Sequence, residues 1–320
     1  MQRYSRQILV DQLGSKGQDA LARARILIVG AGGLGCTVGA QLAGAGVSQI
    51  CIIDHDTIDL SNLHRQILFR ESDVGQAKAD IVAQQMMRIN SDIKVTAIKA
   101  RVNPNNVTEL CKDIDVIIDA ADNFATSYLL SDSCLKLNIP LLTASVNRTF
   151  GYVGQFCGGQ EKPLPSLRAA FPKLPKEQTN CDTVGVTGPS VGAIASIQSQ
   201  EALKIIIDDD SQLAGKLLYL DLWNYSQHVI DFTQAPEPKH NQVELICESG
   251  INKNDVIFDV RTEQEVLDTP LRFEHVVTTL SSHKQNNKRI VCACKSGQRA
   301  FAKAQALIDQ GYQSVAALMP

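Results

Sequence analysis

Arg25-Ile26-Leu27-Ile28-Val29-Gly30-Ala31-Gly32-Gly33-Leu34-Gly35 is the stretch that decides the fold. Its apolar run, Ile26 to Val29, is too short for a helix and rich in β-branched residues, so it reads as a buried strand. Gly30, Gly32, Gly33 and Gly35 come next, then a helical stretch to about Gly46. A second strand, Ile50 to Ile53, ends in Asp54. A strand, a glycine turn, a helix and a second strand ending in an acid form a nucleotide-binding βαβ unit. The glycines let backbone N–H groups approach a phosphate, and the helix N-terminus adds partial positive charge there. Asp54 is placed to accept hydrogen bonds from ribose hydroxyls. Taken alone the unit suits NAD as well as ATP, since both carry an adenosine ribose.

The residues after Asp54 separate the two. The chain continues Asp54-His55-Asp56-Thr57-Ile58-Asp59-Leu60-Ser61-Asn62-Leu63-His64-Arg65-Gln66, then Gly75-Gln76-Ala77-Lys78-Ala79. Arg65 and Lys78 set two fixed cations beside the turn, as charge neutralisation of a triphosphate requires. The bland reading of both is a solvated surface pair. An NAD-dependent dehydrogenase would leave them, and the run from Ser61 to Gln66, unexplained. The pattern D-x-D-x-x-x-x-S-N-L-x-R-Q followed by G-x-x-K-A resembles the MoeB/ThiF family, the prokaryotic relatives of ubiquitin-activating enzymes. The resemblance implies an α/β fold: a Rossmann-like, mixed and mostly parallel sheet with flanking helices. It implies ATP and Mg²⁺ as cofactors, with Gly30, Gly32, Gly33, Gly35, Asp54, Asp56, Asn62, Arg65, Gln66, Lys78, Asp122 and Asn123 around the nucleotide. Arg3-Tyr4-Ser5-Arg6-Gln7 matches the family's R-Y-x-R-Q opening. There the residue at Arg6 reaches the nucleotide of a neighbouring subunit, which implies a homodimer.

Length and composition set the bounds. The chain has 320 residues, room for two ordinary domains, and is 44% hydrophobic and 20% charged, which suits a globular protein. A formal net charge of −3 gives no general attraction to nucleic acid. The longest apolar helix candidate, Val186 to Ile207, is interrupted by Gln198, Gln200, Glu201 and Lys204, so no membrane span is expected. Met1 to Arg6 lacks the apolar core of a signal peptide. The nine cysteines are scattered and odd in number. They read as reduced, and the protein as cytoplasmic.

Further along, Val74 to Asn90 predicts a helix and Ile93 to Ile98 a strand. Asn103 to Asn106 caps a short helix with Pro104 in its first turn. Asp115 to Asp119 is another buried strand, leading into Ala120-Ala121-Asp122-Asn123. In an open parallel sheet, ligands sit beyond the carboxyl ends of the strands. Asp122 is therefore a candidate Mg²⁺ ligand, directly or through water; the other reading is an N-cap for the helix from Asn123 to Asn138. Since Asn123 can also cap, the metal reading is preferred. Pro140 to Ser145 and Gly151 to Cys157 read as strands, the second antiparallel. Gly158 to Thr179 reads as a long loop without structure of its own. A helix from Ser190 to Ile207 and a hairpin, Gly215 to Leu222 with Gln227 to Phe232, complete the first part. Gln234 to Asn241, with Pro236 and Pro238, reads as a linker.

Two features bear on the resemblance. Most of the family carry two C-x-x-C pairs that hold a structural zinc, one in the long loop and one after the last strand. Here those places read Leu164-Pro165-Ser166-Leu167 and Ala235-Pro236-Glu237-Pro238-Lys239-His240, so no zinc is expected and the loop should be less tied down. In the ThiF branch a cysteine at the position of Cys181 bonds covalently to the activated carrier. The alternative is a stray loop cysteine.

From about Asn241 the chain changes character. Asp255 to Arg261 is a strand ending in D-V-R, and Glu263 and Glu265 begin a helix. Lys288 to Cys294 is a strand running into Lys295-Ser296-Gly297-Gln298-Arg299, with a helix from Phe301 to Gln310. A cysteine at a strand end, before a glycine-bearing turn into a helix, meets backbone N–H groups that suit an anionic sulfur. Lys295 and Arg299 add to this. D-V-R-x-x-x-E plus C-x-x-G-x-R resembles a rhodanese-like domain, in which Cys294 would carry sulfur while Cys292 packs in the core. The family's H-x-P-G-A segment is replaced by His275 to Leu280, and the usual terminal turn and last strand are not expected. The domain is then abridged, and an inert Cys294 is the alternative.

The chain thus divides into an adenylation domain, 1–240, and a rhodanese-like domain, 241–320. The combined resemblance implies ATP-dependent adenylation of the C-terminal glycine of a small ubiquitin-fold sulfur-carrier protein. Sulfur transfer towards a thiocarboxylate would follow, in molybdopterin or thiamine biosynthesis, with the sulfur supplied by a cysteine desulfurase or by a small-molecule donor. Rival readings are adenylation of a peptide or other carboxylate, and a non-catalytic carrier-binding scaffold.

Overall fold

A computed structural model describes residues 2–159, 163–172, 185–238, 242–280 and 288–319. Its larger sheet contains β1 (Arg25–Val29), β2 (Gln49–Ile53), β3 (Lys94–Ile98), β4 (Val116–Asp119), β5 (Pro140–Asn147), β6 (Phe150–Cys157), β7 (Lys216–Asp221) and β8 (Ser226–Asp231). They lie in the order β3-β2-β1-β4-β5-β6-β7-β8. The first five are parallel and the last three antiparallel. β1 is central: Ile26 pairs with Ile50 on one side and Val116 on the other. Buried on both faces, it has the continuous apolar sequence such a strand needs. The strand order reverses between β1 and β4, and that switch point opens a crevice at their carboxyl ends.

The helices are α1 (Gly14–Leu21), α2 (Gly33–Ala45), α3 (Lys78–Ile89), α4 (Val107–Leu110), α5 (Phe124–Leu137), α6 (Leu167–Ala170) and α7 (Gly188–Ile207). α2, α3 and α7 cover one face, where Leu42, Met86 and Ile194 are buried together. α4 and α5 cover the other. α7 opens with Thr187 as cap, its Oγ1 accepting from the Ser190 N–H, and with Pro189 in the first turn. No described helix is long and apolar enough to cross a membrane.

Three local expectations are corrected. The helix expected from Val74 begins only at Lys78, because Gly75 turns at φ +86° and Thr57 bridges Ala77. Pro104 precedes α4 in a turn, where Asn103 accepts from the Asn105 N–H and Asn106 from the Asn103 N–H. The long loop is not structureless: α6 lies within it, and Ser166 and Arg168 are buried.

That loop is also tied to the tail beyond β8. The Ser166 N–H and Oγ–H donate to the two carboxylate oxygens of Glu237, both at 2.6 Å. This clip joins the two places where the family's cysteine pairs would fall, so the loop is held there by hydrogen bonds. Glu237→Ala is expected to lower stability by about 1–3 kcal/mol, the range for losing hydrogen bonds to a charged group. An unchanged melting temperature would show that the clip contributes nothing.

A second, parallel sheet contains β9 (Glu244–Ile246), β10 (Val256–Asp259), β11 (Val276–Val277), β12 (Ile290–Ala293) and β13 (Val315–Leu318), in the order β11-β10-β12-β13-β9. Around it lie α8 (Glu263–Asp268) and α9 (Gln298–Asp309). The expected lack of a last strand is wrong: β13 pairs with both β12 and β9, burying a run that is apolar throughout. α9 begins three residues before Phe301, because Gly297 at φ +80° is its cap. The expected division at 240/241 falls among residues 239–241, outside those described.

The second sheet docks on α5. Phe301 packs on Tyr128 with ring centroids 5.3 Å apart, and the Arg168 guanidinium stands over both rings. Arg168 also pairs with Asp132 through two bonds, at 2.7 and 2.8 Å, and donates to the Val243 carbonyl at 3.3 Å. One apolar cluster therefore runs from Leu130 and Leu167 to Phe301 and Met319.

Candidate nucleotide-binding site

The carboxyl ends of β1, β2, β4 and β5 open onto one cleft. Gly30, Gly32 and Gly33 line it. Gly30 sits at φ +102°, and a Cβ there would fall 2.5 Å from the Ala120 carbonyl oxygen, so only glycine fits. Gly35 stands away from the cleft lining. A Cβ on it would overlap the Gly30 carbonyl, so its role is close packing of α2 on β1.

Asp54 accepts from the Ala31 N–H and the Asp56 N–H, both at 2.7 Å. It braces the glycine turn, and an ionised carboxylate keeps further lone pairs for ribose hydroxyls. Asp56 bonds His55 at 2.9 Å and the Lys78 ammonium at 3.2 Å. The hydrogen bond from His55, helped by the Lys78 charge, holds the Asp56 carboxyl well below the usual carboxylate range. Lys78 is the first residue of α3 and only 8% exposed, so the solvated-pair reading does not hold for it. Arg65 lines the same cleft and donates to the Ser61 carbonyl at 3.1 Å. Asn62 accepts from the Asp59 N–H at 3.1 Å, fixing the turn that carries Arg65.

Gln66 also lines the cleft, is buried, and has an Oε1 with no hydrogen-bond partner among the described residues. Thr143 lines the cleft too, its hydroxyl beside the Asp119 carboxylate. Buried polar atoms left unpaired are costly, so their presence in a cleft marks a place that a polar ligand completes. Asn123 is the cap of α5, its Oδ1 accepting from the Thr126 N–H at 3.0 Å. Asp122 is thereby released from capping and lines the cleft, with the Asn123 amide at 3.3 Å. An oxygen donor in that position fits Mg²⁺. Asp54, His55 and Asp56 also cluster, but their oxygens are engaged as described above.

Two residues of the site escaped the sequence reading. Asp119, 1% exposed at the end of β4, accepts from the Ala121 N–H at 3.1 Å and shapes the turn that carries Asp122. Gln198 of α7 donates to the carbonyls of Asp119 and Leu142, at 2.9 and 3.0 Å, and so ties β4 to β5. Its amide in a largely apolar helix gave no signal that set it apart from Gln200. Burial pushes the Asp119 carboxyl up from 3.8 to about 6. A raised folded value means that stability is fully present below the unfolded value and is lost as pH rises through the folded one. Asp119→Asn should therefore gain on the wild type between about pH 4 and about pH 7, by about 3 kcal/mol. Parallel stability–pH curves in denaturant titrations would rule this out.

In the second sheet, the Cys294 sulfur accepts from the Ala300 N–H at 3.3 Å and from the Arg299 guanidinium. Arg299 is itself held by Glu265 through bonds of 2.7 and 2.8 Å. Cys292 lies in the apolar core, where burial pushes its thiol up to about 12. Arg6 is exposed and stands outside the cleft of its own chain. Cys181 lies outside the described residues.

Comparison with known proteins agrees with this geometry. The ThiF family matches residues 4–247. "Adenylyltransferase and sulfurtransferase MOCS3" of Caenorhabditis briggsae is 42% identical over 219 residues, covering 68% of this chain and 54% of that protein. "SAMP-activating enzyme E1" of Haloferax volcanii is 36% identical over 239 residues, covering 74% of this chain and 87% of that protein. Among solved structures, Escherichia coli MccB with ATP superposes with a TM-score of 0.63 at 25% identity, covering 72% of each chain. The chain spans about half the length of the MOCS3 relatives it matches. With its glycine turn, cations and acids gathered at one switch point, and with that match over most of its length, the chain belongs to the ThiF family.

Proposed function

We propose that the protein adenylates the C-terminal glycine of a small ubiquitin-fold sulfur-carrier protein and then passes sulfur to it, in molybdopterin or thiamine biosynthesis. The observation that carries this reading is the buried Lys78 beside Arg65 and the Gly30–Gly33 turn, on a ThiF-family frame. A carboxylate oxygen of the carrier attacks the α-phosphorus of ATP and pyrophosphate leaves. The attacking group is already anionic, so no strong base is needed. Lys78 and Arg65 neutralise the phosphate charge while the turn N–H groups hold it in line. Asp122 is the residue that would hold Mg²⁺, which supplies further charge neutralisation when bound. Arg6 would serve the cleft of a second copy in a homodimer. In the second step a persulfide on Cys294, loaded by a cysteine desulfurase, attacks the acyl carbon and AMP leaves. The Cys181 thiolate then attacks the Cys294 sulfur of the acyl disulfide, breaking its S–S bond, forming a Cys181–Cys294 disulfide and releasing the thiocarboxylate; a thiol reductant returns both cysteines to the reduced state.

ATP–pyrophosphate exchange with Mg²⁺, run against small ubiquitin-fold proteins ending in Gly-Gly, tests the first step and names the carrier. Exchange with none of them would refute it. A different carboxylate substrate is the second reading, favoured by 26% identity to MccB solved with MccA-N7isoASN. No structural zinc is part of this proposal, and about one zinc per chain by mass spectrometry would overturn that point.

A further inference from the structure

The second sheet reaches the nucleotide cleft: Ser296, Gln298 and Met319 line it together with Asp54, Arg101 and Val102. Their place along the cleft follows from the strand order. The glycine turn follows β1, the ribose acid ends β2, and Ala100 to Val102 follow β3, which lies outermost. A nucleotide with its phosphates at the glycine turn and its ribose at Asp54 would extend its base outward from β1, toward Ala100 to Val102. Val102 shares an apolar cluster with Met319. Met319 in turn lies against Gly297, where a Cβ would fall 2.7 Å from its sulfur. The turn from Ser296 to Gln298 therefore sits at the base end. Ser249, bonded to Asn105 at 3.3 Å, fastens the second sheet to the segment after β3.

The chemistry there suits adenine. Gln298 is half-buried, and its side-chain amide makes no hydrogen bond among the described residues. An amide offers a donor beside an acceptor, the complement of an adenine amino group next to a ring nitrogen. Guanine presents two acceptors on that edge and satisfies only the amide's donor. Met319, 3% exposed, supplies a polarisable thioether for the flat face of the ring.

We propose that Gln298 and Met319 read the base, so that the second sheet supplies the adenine-selecting wall of the site that the first sheet builds. This rests on the nucleotide reading given above. The test is equilibrium binding of ATP and of GTP, with Mg²⁺, to the full chain and to Gln298→Ala and Met319→Ala. Melting temperatures check that the variants are folded. The wild type is expected to prefer ATP. Gln298→Ala should weaken ATP about ten-fold and leave GTP within about two-fold, collapsing the preference. Met319→Ala should weaken both nucleotides, since a ring face carries no donor pattern. A wild type that binds ATP while Gln298→Ala keeps the same ATP-to-GTP ratio overturns the base-reading role alone. A wild type that binds neither nucleotide overturns the nucleotide reading as well.

Discussion

Lys78→Ala is expected to lower ATP–pyrophosphate exchange by about 10²- to 10³-fold, the usual cost of removing a fixed charge aimed at a developing negative centre. The magnitude follows from where the ammonium sits. It is nearly buried, so its field is little screened by water, and its bond to Asp56 at 3.2 Å holds it in place. The fold should survive, because alanine at the first position of α3 is a good helix former. Asp56 keeps its bond to His55, so no carboxylate is stranded. Since Lys78 acts mainly on charge that appears in the transition state, the loss should fall on kcat more than on KM. Exchange within about three-fold of the wild type would remove Lys78 from the reaction.

Cys294→Ser is expected to abolish sulfur transfer, by at least about 10³-fold, while pyrophosphate exchange continues. The serine oxygen is almost isosteric and can accept the same Ala300 N–H and Arg299 donors, so the turn into α9 keeps its shape. What it cannot do is carry a second sulfur. Carrier thiocarboxylate, measured by intact mass, separates the two steps in one experiment. Undiminished thiocarboxylate in the variant would move the sulfur carrier to another thiol, with Cys181 the first to examine.

How much of this was legible beforehand depends on the range over which each feature is encoded. The βαβ unit is local: a β-branched run, glycines and an acid announce themselves within 30 residues of sequence. β13 was missed because Val315-Ala316-Ala317-Leu318 has no period to tell strand from loop, and its pairing with β9 is long-range. The clip between Ser166 and Glu237 joins residues far apart in the chain, and a serine in a loop carries no signal of its own. Asp119 was read as the end of a strand; its burial beneath the turn bearing Asp122 depends on α7 lying across β4 and β5. The contribution of Gln298 and Met319 to the cleft was out of reach for the same reason. It depends on how two sheets pack, which Arg168, Tyr128 and Phe301 determine together.

That packing sets the terms on which the two sheets can influence one another. If nucleotide favours the docked arrangement by some factor, docking must raise nucleotide affinity by the same factor, because linkage is reciprocal. A covalent connection fixes the effective concentration of the docking partner, so the coupling does not weaken on dilution. The turn that begins at Cys294 and ends at Gln298 carries the thiol at its start and a residue of the cleft lining at its end.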